Sequence, residues 1–311
     1  PSLERKKEKV TQKANNENTF ELIAMEWLGK KKNIWTTNHL KRTASRLRRD
    51  IFPSFGKITI SEITAHDILS TLQKIEQRGA IETAHRILNI CNQVFRYAFQ
   101  TLRVKSNPCP DLKGALTPVA KNHLSAITSP DEVSNLLKLI NNYHGNHTVK
   151  CALELAPLVF VRPGELRTAK WKDIDLGKSE WRYLVSKTKT EHIVPLATQS
   201  ISILKEMLPY SQSSEYVFPN SRSMKKPMSE NAVLCALRSL GVPKDKMTGH
   251  GFRAMARTIL DEVLGFRPDI IEHQLAHAVR GPLGRAYNRT TFLRERKQMM
   301  QTWADWLEKN K

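Results

Sequence analysis

Apolar residues recur at helical spacing along the first third of the chain. Between Thr19 and Leu102 they lie mostly three or four positions apart, at Phe20, Ile23 and Trp27, at Ile68, Leu72 and Ile75, and at Ile87, Ile90, Val94 and Ala98. This spacing is typical of amphipathic helices that bury one face. It predicts a helical domain over residues 19–105, behind a charged tail over residues 1–18.

Proline and glycine interrupt this pattern after Ser106. The chain then reads N-P-C-P-D-L-K-G and T-P-V-A-K, which excludes a long regular element and predicts a linker over residues 106–127. A new helix is predicted to begin at Ser129, because Ser129 suits the N-cap, Pro130 the first turn and Glu132 the third position of a capping box. A second domain is therefore predicted over residues 128–311.

The second domain combines further helices with a few short strands. W-R-Y-L-V-S-K (residues 181–187) and H-I-V-P-L (residues 192–196) predict strands around the polar turn T-K-T-E, with the preceding D-I-D as a third strand. Helical patterns cover residues 231–240, 252–260 and 291–307. The predicted fold class is mainly α with one small antiparallel β-sheet in the C-terminal domain. The last helix carries an apolar stripe that packs either within its own domain or on a neighbouring protomer, formed by Phe292, Met299, Trp303 and Trp306.

Positive charge is in large excess. Fifty Lys and Arg against thirty Asp and Glu give a formal charge of +20, which favours a polyanionic partner and above all nucleic acid. One cluster in the helical domain has no acid before Asp50 and contains Lys41, Arg42, Arg46 and Arg49. On a helix the three arginines share one face, which suits a row of DNA phosphates. The alternative is a solvated helix face, although such faces usually mix charges of both signs.

Other features of the composition exclude several classes. No apolar run approaches the roughly 20 residues that span a bilayer, so a membrane protein is excluded. The four cysteines, Cys91, Cys109, Cys151 and Cys235, lack C-x-x-C spacing and are predicted to be reduced core residues of a cytoplasmic protein. Because the chain begins at Pro1, it is expected to be part of a longer protein.

Four short motifs place arginine, histidine and tyrosine in order along the second domain. F-V-R-P-G-E-L contains Arg162, T-G-H-G-F-R contains His250 and Arg253, Q-L-A-H contains His277, and A-Y-N-R contains Tyr287. Attack on a phosphodiester builds negative charge on the nonbridging oxygens, and planar arginine forks offset that charge without a metal. Taken singly, each residue also suits a structural place, as a surface arginine or a core tyrosine. Together they predict a phosphate clamp facing a tyrosine nucleophile.

The boxes V-R-P-G-E-L-R-T-A-K-W-K-D-I-D, H-G-F-R and L-A-H followed by Y resemble the tyrosine recombinase family, specifically the phage-type integrases of prophages and genomic islands. The resemblance covers the chain from about Thr19 onward. It implies a two-domain architecture, with a helical core-binding domain before the catalytic domain. It also implies that the family's N-terminal arm-binding domain is missing from this stretch of chain.

The resemblance implies a nucleophile and a general acid. Tyr287 attacks a DNA phosphodiester, forms a 3′-phosphotyrosyl bond and frees the 5′-hydroxyl. The general acid is a lysine on a hairpin, and Lys187 best fits that position. Lys189 is the alternative, because strand alternation directs it to the same side.

The resemblance also implies the residues that surround the phosphate. Arg162 and Arg253 form the clamp, and His277 matches the family's second phosphate-contacting position. His250 contacts the phosphate and assists proton transfer at the tyrosine. Glu165 matches the acidic residue that orients the site, although a glutamate in the first turn of a helix is also favoured by the helix dipole. Ala276 departs from the glycine that is frequent before this histidine, which puts the local loop shape in question.

A recombinase of this kind implies definite partners. The resemblance implies that the protein binds double-stranded DNA attachment sites, and that monomers in solution assemble into a homotetramer on two such sites. It also implies a directionality factor as a partner. It implies that the reaction needs no metal, ATP or other cofactor. It places the protein in the cytoplasm, associated with the nucleoid.

Other functions compete with this prediction. They are a type IB topoisomerase, a non-catalytic DNA-binding protein and a metal-dependent carboxylate integrase. His273 and His277 also have the i,i+4 spacing of a helical zinc pair, but the H-E-x-x-H pattern of a metalloprotease is missing.

Overall fold

The computed structural model describes residues 18–119, 125–185, 188–277 and 292–311. The chain divides into two compact units, Pro1–Asn122 and His123–Lys311. Helices dominate both units, and the sheets of the described residues lie in the second. The predicted fold class, mainly α with a small antiparallel sheet in the C-terminal domain, is confirmed.

The first unit is helical. Its elements are α1 (Phe20–Lys31), α2 (Thr37–Arg46), a π-helix (Leu47–Gly56) that continues from α2, α3 (Ala65–Gln77) and α4 (Ile81–Gln100). Side-chain caps set where these helices begin. At α3, the Thr64 hydroxyl accepts from the Asp67 amide while the Asp67 carboxylate accepts from the Thr64 amide, a reciprocal capping box.

The apolar stripes of these helices meet in one core. Phe20, Ile68, Leu72, Ile87 and Val94 are completely buried. Since burial of one such side chain contributes about 1.5–3 kcal/mol, packing rather than helix propensity holds the unit together.

The predicted linker over residues 106–127 is partly a piece of the first unit. A short 3₁₀ helix, Pro110–Leu112, forms within it. Cys109, Leu112 and Leu116 are buried in the first core. The proline residues do prevent a long helix, but isolated apolar side chains between them still pack, and periodicity alone does not reveal such contacts.

The second unit contains most of the remaining helices. They are α5 (Pro130–Asn141), α6 (His147–Val159), α7 (Pro163–Arg167), α8 (Thr198–Ser211), α9 (Ala232–Ser239), α10 (Gly251–Thr258), α11 (Pro268–Gln274) and α12 (Leu293–Lys309). The predicted start of α5 is confirmed, since the Ser129 hydroxyl accepts from the Glu132 amide and Pro130 occupies the first turn.

The predicted three strands form one antiparallel sheet in the order β1 (Ile174–Asp175), β2 (Glu180–Leu184) and β3 (Glu191–Pro195). Trp181 pairs with Val194, and Tyr183 pairs with His192. The prediction of a single sheet was wrong, because β4 (Pro219–Asn220) and β5 (Ser223–Pro227) form a second, two-stranded sheet. The sequence S-M-K-K-P of β5 lacks apolar alternation, so it gave no strand signal.

Helix α12 packs inside the second unit. Met299, Met300 and Trp303 are buried in its core, and the Trp303 indole donates to the Pro157 carbonyl at 2.9 Å. Trp306 stacks on Trp303 at 5.6 Å between ring centroids. Of the two alternatives for the apolar stripe, the structure therefore supports packing within its own domain.

Three of the four cysteines are buried, as predicted, but Cys235 is exposed. No helix among the described residues is both long enough and apolar enough to cross a membrane.

Candidate active site

Arg162 lies at the junction between α6 and α7. Helix α6 ends where Phe160 adopts a left-handed backbone conformation (φ 34°), and Pro163 opens α7. The residue before a proline favours extended backbone, and Arg162 accordingly has φ −63° and ψ 141°. This backbone makes Arg162 the N-cap residue of α7, at the point where the chain changes direction.

Glu165 holds Arg162 in place. Its two carboxylate oxygens accept from the Arg162 amide and from Arg162 Nη1, each at 3.2 Å. The Tyr183 hydroxyl, on β2, donates to the same carboxylate at 2.9 Å. Burial and the neighbouring Glu165 charge raise the pKa of Tyr183, so this phenol stays protonated and acts as a donor. Motif reading did not identify Tyr183, and strand alternation with the buried Trp181 is the only sequence signal for it.

His250 and Arg253 stand at the start of α10. His250 is the N-cap, and the Arg253 amide donates to its carbonyl at 3.1 Å. Gly251 between them is required by close packing, because a Cβ there would lie 2.7 Å from the Ser125 carbonyl oxygen and 2.6 Å from Met247 Sδ. The H-G-F-R motif therefore combines an exposed histidine, a glycine at a tight contact and an inward-facing arginine.

Arg253 is buried, with 9% of its surface exposed. Its Nη1 donates to the Phe160 carbonyl at 3.1 Å, and its Nη2 donates to the Leu275 carbonyl at 2.7 Å. The Arg162 guanidinium reaches the next carbonyl, that of Ala276, at 3.4 Å. The segment after α11 thus connects the two arginines.

His277 lies beyond the end of α11, so it does not form an i,i+4 helical pair with His273. The helix ends at Gln274, and Ala276 adopts a left-handed conformation with φ 50°. This conformation explains why glycine suits position 276, since an L-residue there costs about 1 kcal/mol. Both ring nitrogens of His277 are engaged: Nδ1 donates to Glu272 at 2.6 Å, and Nε2 accepts from Arg253 at 3.1 Å.

Glu272 is a second residue that motif reading missed. Its carboxylate accepts one hydrogen bond from His277 and another from Arg257, the latter at 2.9 Å. Burial acts to raise the pKa of Glu272, but the hydrogen bonds from His277 and Arg257 outweigh burial and hold it below the ordinary value. Glu272 is therefore a carboxylate that fixes which nitrogen of His277 carries a proton.

The cluster carries excess positive charge. The pKa of Arg253 is lowered mainly by burial and also by the nearby charge of Arg162. Packing around its ring and the charges of Arg253 and Arg162 lower the pKa of His250 as well, which favours a neutral imidazole near neutral pH. Guanidinium and imidazole N–H groups suit an anion rather than a metal cation, and a bound phosphate would relieve the repulsion between the arginines.

Two predicted residues, Lys187 and Tyr287, lie outside the described residues. The alternative general acid, Lys189, is described: it is exposed, has a left-handed backbone (φ 54°), and its amide donates to the Val185 carbonyl at 2.8 Å. The choice of Lys187 over Lys189 as the general acid therefore stays a prediction.

The predicted DNA-binding cluster lies on α2 and the π-helix of the first unit. Lys41 and Arg42 are exposed, and Arg46 is partly buried. Arg49 is also exposed, but its guanidinium pairs with Asp50 at 2.8 Å. It is also beyond the end of α2, where the π-helix changes the angular spacing, so the predicted common face of the three arginines does not extend regularly to Arg49.

Comparison with known proteins agrees with this geometry. Residues 20–115 match the phage integrase central domain, and residues 127–294 match the phage integrase family. The chain belongs to the phage integrase family. The integrase of Enterobacteria phage P4 is 37% identical over 324 residues, covering 97% of this chain and 73% of that protein. Prophage integrase IntA of Escherichia coli strain K12 is 35% identical over 290 residues, covering 93% of this chain and 70% of that protein.

A solved structure also has this fold. The lambda integrase tetramer bound to a Holliday junction aligns with a TM-score of 0.67 and 20% sequence identity, over 86% of this chain and 80% of that one. As a member of the phage integrase family, the chain is a site-specific DNA recombinase that breaks and rejoins DNA strands. The type IB topoisomerase and the non-catalytic DNA-binding alternatives are not favoured by these matches.

Proposed function

We propose that this recombinase integrates or excises a mobile element through a 3′-phosphotyrosyl intermediate at Tyr287. The observation that supports this proposal is the buried Arg253, placed beside Arg162 and hydrogen-bonded to His277. Burying a guanidinium is unfavourable unless its charge and its donors are used. A DNA phosphate would supply the missing negative charge.

The clamp retains donors for that phosphate. A guanidinium has five N–H groups, and protein carbonyls take only some of those on Arg253 and Arg162. The carbonyl contacts hold each fork at a fixed orientation before DNA binds. Donors held in this way stabilise the charge of a transition state without reorganising, which is how an oxyanion hole acts.

Proton transfer needs residues at both ends of the reaction. A neutral His250 accepts the Tyr287 proton during attack, and its lowered pKa suits that role at neutral pH. Lys187 donates a proton to the leaving 5′-oxygen, with Lys189 as the alternative. The phosphotyrosyl bond conserves the phosphodiester energy, so strand rejoining requires no ATP.

Glu165 and Glu272 support the clamp. Glu165 pairs with Arg162, and Glu272 accepts a hydrogen bond from His277, whose other ring nitrogen contacts Arg253. Each carboxylate fixes the orientation of a clamp arginine, Glu165 directly and Glu272 through His277, so both are positioning residues.

DNA binding extends to the first unit in this proposal. Lys41, Arg42, Arg46 and Arg49 contact backbone phosphates, although the ion pair with Asp50 offsets part of the Arg49 charge. Like the lambda integrase tetramer bound to a Holliday junction, the active form is a homotetramer on two DNA sites. A directionality factor that biases excision over integration is a further proposed partner.

Covalent capture tests the function. The protein is incubated with sheared genomic DNA of its source in EDTA, denatured in SDS, and the attached DNA ends are sequenced. The adduct is then digested with trypsin, which releases residues 286–289 as the peptide A-Y-N-R. We expect discrete DNA ends and a nucleotide mass on this peptide.

Each outcome of the capture experiment is decisive. Scattered DNA ends would indicate topoisomerase-like relaxation instead of site-specific recombination. A nucleotide on another peptide would overturn the assignment of Tyr287. Loss of the adduct in EDTA would indicate metal-dependent chemistry and contradict the phosphate clamp.

Replacing Glu272 with Gln is expected to slow strand cleavage by about tenfold. Glutamine keeps a hydrogen bond to His277 Nδ1 but removes the carboxylate charge that strengthens this bond, and a charge-assisted hydrogen bond is worth about 1–2 kcal/mol more than a neutral one. The measurement is the single-turnover rate of adduct formation on the captured site. Asp261→Asn is the matched control, because Asp261 pairs with Arg257, as Glu272 does, but has no bond to His277. An equal effect of both substitutions would contradict the positioning role.

A further inference from the structure

Three side chains with different donor atoms converge where α6 packs against α8. His147 is the first residue of α6, Cys151 follows one turn later, and Glu206 projects from α8. A nitrogen, a sulfur and a carboxylate oxygen from these residues all lie within 4.8 Å of one another. None of the three belongs to the phosphate clamp or to the motifs that indicated it.

Two of the three donor–donor distances fit the edges of a tetrahedral zinc site. His147 Nε2 lies 3.6 Å from Cys151 Sγ and 3.5 Å from Glu206 Oε1. With Zn–N and Zn–O bonds of about 2.0–2.1 Å and a Zn–S bond of about 2.3 Å, tetrahedral geometry places N and S about 3.6 Å apart and N and O about 3.4 Å apart. The third edge, between Cys151 Sγ and Glu206, lies within 4.8 Å, and the exposed Glu206 side chain can adjust it when one ion binds all three donors.

Neighbouring residues restrain these donors. The Asn146 side chain caps α6 by accepting from the Val149 amide at 3.3 Å, which sets the position of His147. The His147 ring packs on the Tyr210 ring, with centroids 4.1 Å apart. Cys151 is buried, whereas half of the Glu206 side-chain surface is exposed. The exposed side leaves a path for an ion and a position for a water ligand.

The local charges also favour a cation. The carboxylates of Glu154 and Glu206 both lie near Cys151, and Lys150 lies 4.0 Å from Glu154. A divalent ion would offset the repulsion between the two carboxylates.

We propose that His147, Cys151 and Glu206 bind one zinc ion, with water as the fourth ligand. Mixed nitrogen, sulfur and oxygen donors in a tetrahedral arrangement favour zinc over the hard cations magnesium and calcium, which require oxygen ligands. The thiol proton passes to solvent when the thiolate–zinc bond forms. The ion joins α6 to α8 and so stabilises the catalytic unit, and it takes no part in strand transfer.

Cobalt substitution tests the site in the full chain. The exposed Cys235 is first replaced by Ser, so that the remaining cysteines are Cys151 and the buried Cys91 and Cys109 of the first unit. Addition of Co²⁺ is expected to give one equivalent of tetrahedral visible bands with a thiolate charge-transfer band. Competition with Zn²⁺ then gives the zinc affinity.

Single substitutions separate a metal site from a hydrogen-bonded cluster. Cys151→Ser is expected to remove the charge-transfer band, and Glu206→Gln to weaken zinc binding by at least about tenfold while leaving the melting temperature of the metal-free protein unchanged, because Glu206 is exposed. Glu154→Gln is the control, with a smaller effect expected. Saturating zinc should raise the melting temperature by about 5–10 °C.

Absence of one-equivalent binding, or a cobalt spectrum that survives both Cys151→Ser and Glu206→Gln, would overturn the proposal. Strand cleavage by these variants is expected to equal that of the parent protein. The zinc proposal and the proposed function can therefore fail independently.

Discussion

Replacing Arg253 with Lys is expected to reduce strand cleavage by about 10²- to 10³-fold, the loss typical of removing one preorganised oxyanion donor. Lysine keeps the charge but cannot form a planar fork. Arg253 Nη1 and Nη2 donate to the carbonyls of Phe160 and Leu275, and Nη2 also donates to His277. A lysine ammonium cannot hold all three contacts in that plane and also face a phosphate. The measurement is the rate of covalent adduct formation in a single turnover.

The loss of carbonyl contacts also lowers stability, so a control must separate folding from catalysis. Arg238 provides it, because its Nη1 and Nη2 donate to two carbonyls, those of Val242 and Met247, outside the cluster. Each unsatisfied buried carbonyl costs about 1–3 kcal/mol. Arg253→Lys and Arg238→Lys are therefore both expected to lower the melting temperature, whereas only Arg253→Lys should lose cleavage. Full cleavage by Arg253→Lys would show that Arg253 is structural.

Local chemistry explains why much of the fold was predictable from the sequence. The first core follows from apolar spacing at Phe20, Leu72 and Val94, which needs no knowledge of distant contacts. Helix starts follow from single residues with strong backbone preferences, Ser129 before α5 and Pro163 in α7. Because a cap or a proline acts within one turn, a short stretch of sequence contains the whole signal.

The missed features depend on contacts between residues far apart in sequence. Tyr183 reaches Glu165 only because β2 packs beside α7, and Arg162 reaches the Ala276 carbonyl across 114 positions. Glu272 lies outside every motif, and its role follows from the turn after α11 that carries His277 back toward it. No periodicity encodes such approaches, so the supporting carboxylate and phenol became visible only in the folded chain.

The basic cluster of the first unit illustrates the same limit for charge. Helical spacing placed Arg42, Arg46 and Arg49 together, but a π-helix begins at Leu47. Asp50 pairs with Arg49 and with Arg78, a residue distant in sequence. Burial would raise the pKa of Asp50, but these two arginines outweigh it and keep the carboxylate charged. A net charge of +20 thus indicates the kind of partner, whereas the folded ion pairs decide how much of each local positive charge is already offset.

Replacing Tyr287 with Phe is expected to abolish the covalent adduct entirely while leaving DNA binding intact. Phenylalanine keeps the ring but has no oxygen to attack phosphorus, so no residual transesterification is expected from this position. The measurement is SDS-resistant capture on the site identified with the unsubstituted protein, together with a binding assay on the same DNA. Retained capture by Tyr287→Phe would show that another side chain is the nucleophile.

Tyr183 is the competing nucleophile within the described cluster, and Tyr183→Phe is the matched comparison. Its hydroxyl donates to Glu165, and both burial and that carboxylate raise its pKa, which disfavours the phenolate needed for attack. Its loss removes one hydrogen bond to a charged group, worth about 1.5–3 kcal/mol, so we expect slower cleavage with the adduct still formed. If Tyr183→Phe abolished the adduct and Tyr287→Phe did not, the two tyrosines would exchange roles, and Glu165 would become the base that activates the nucleophile.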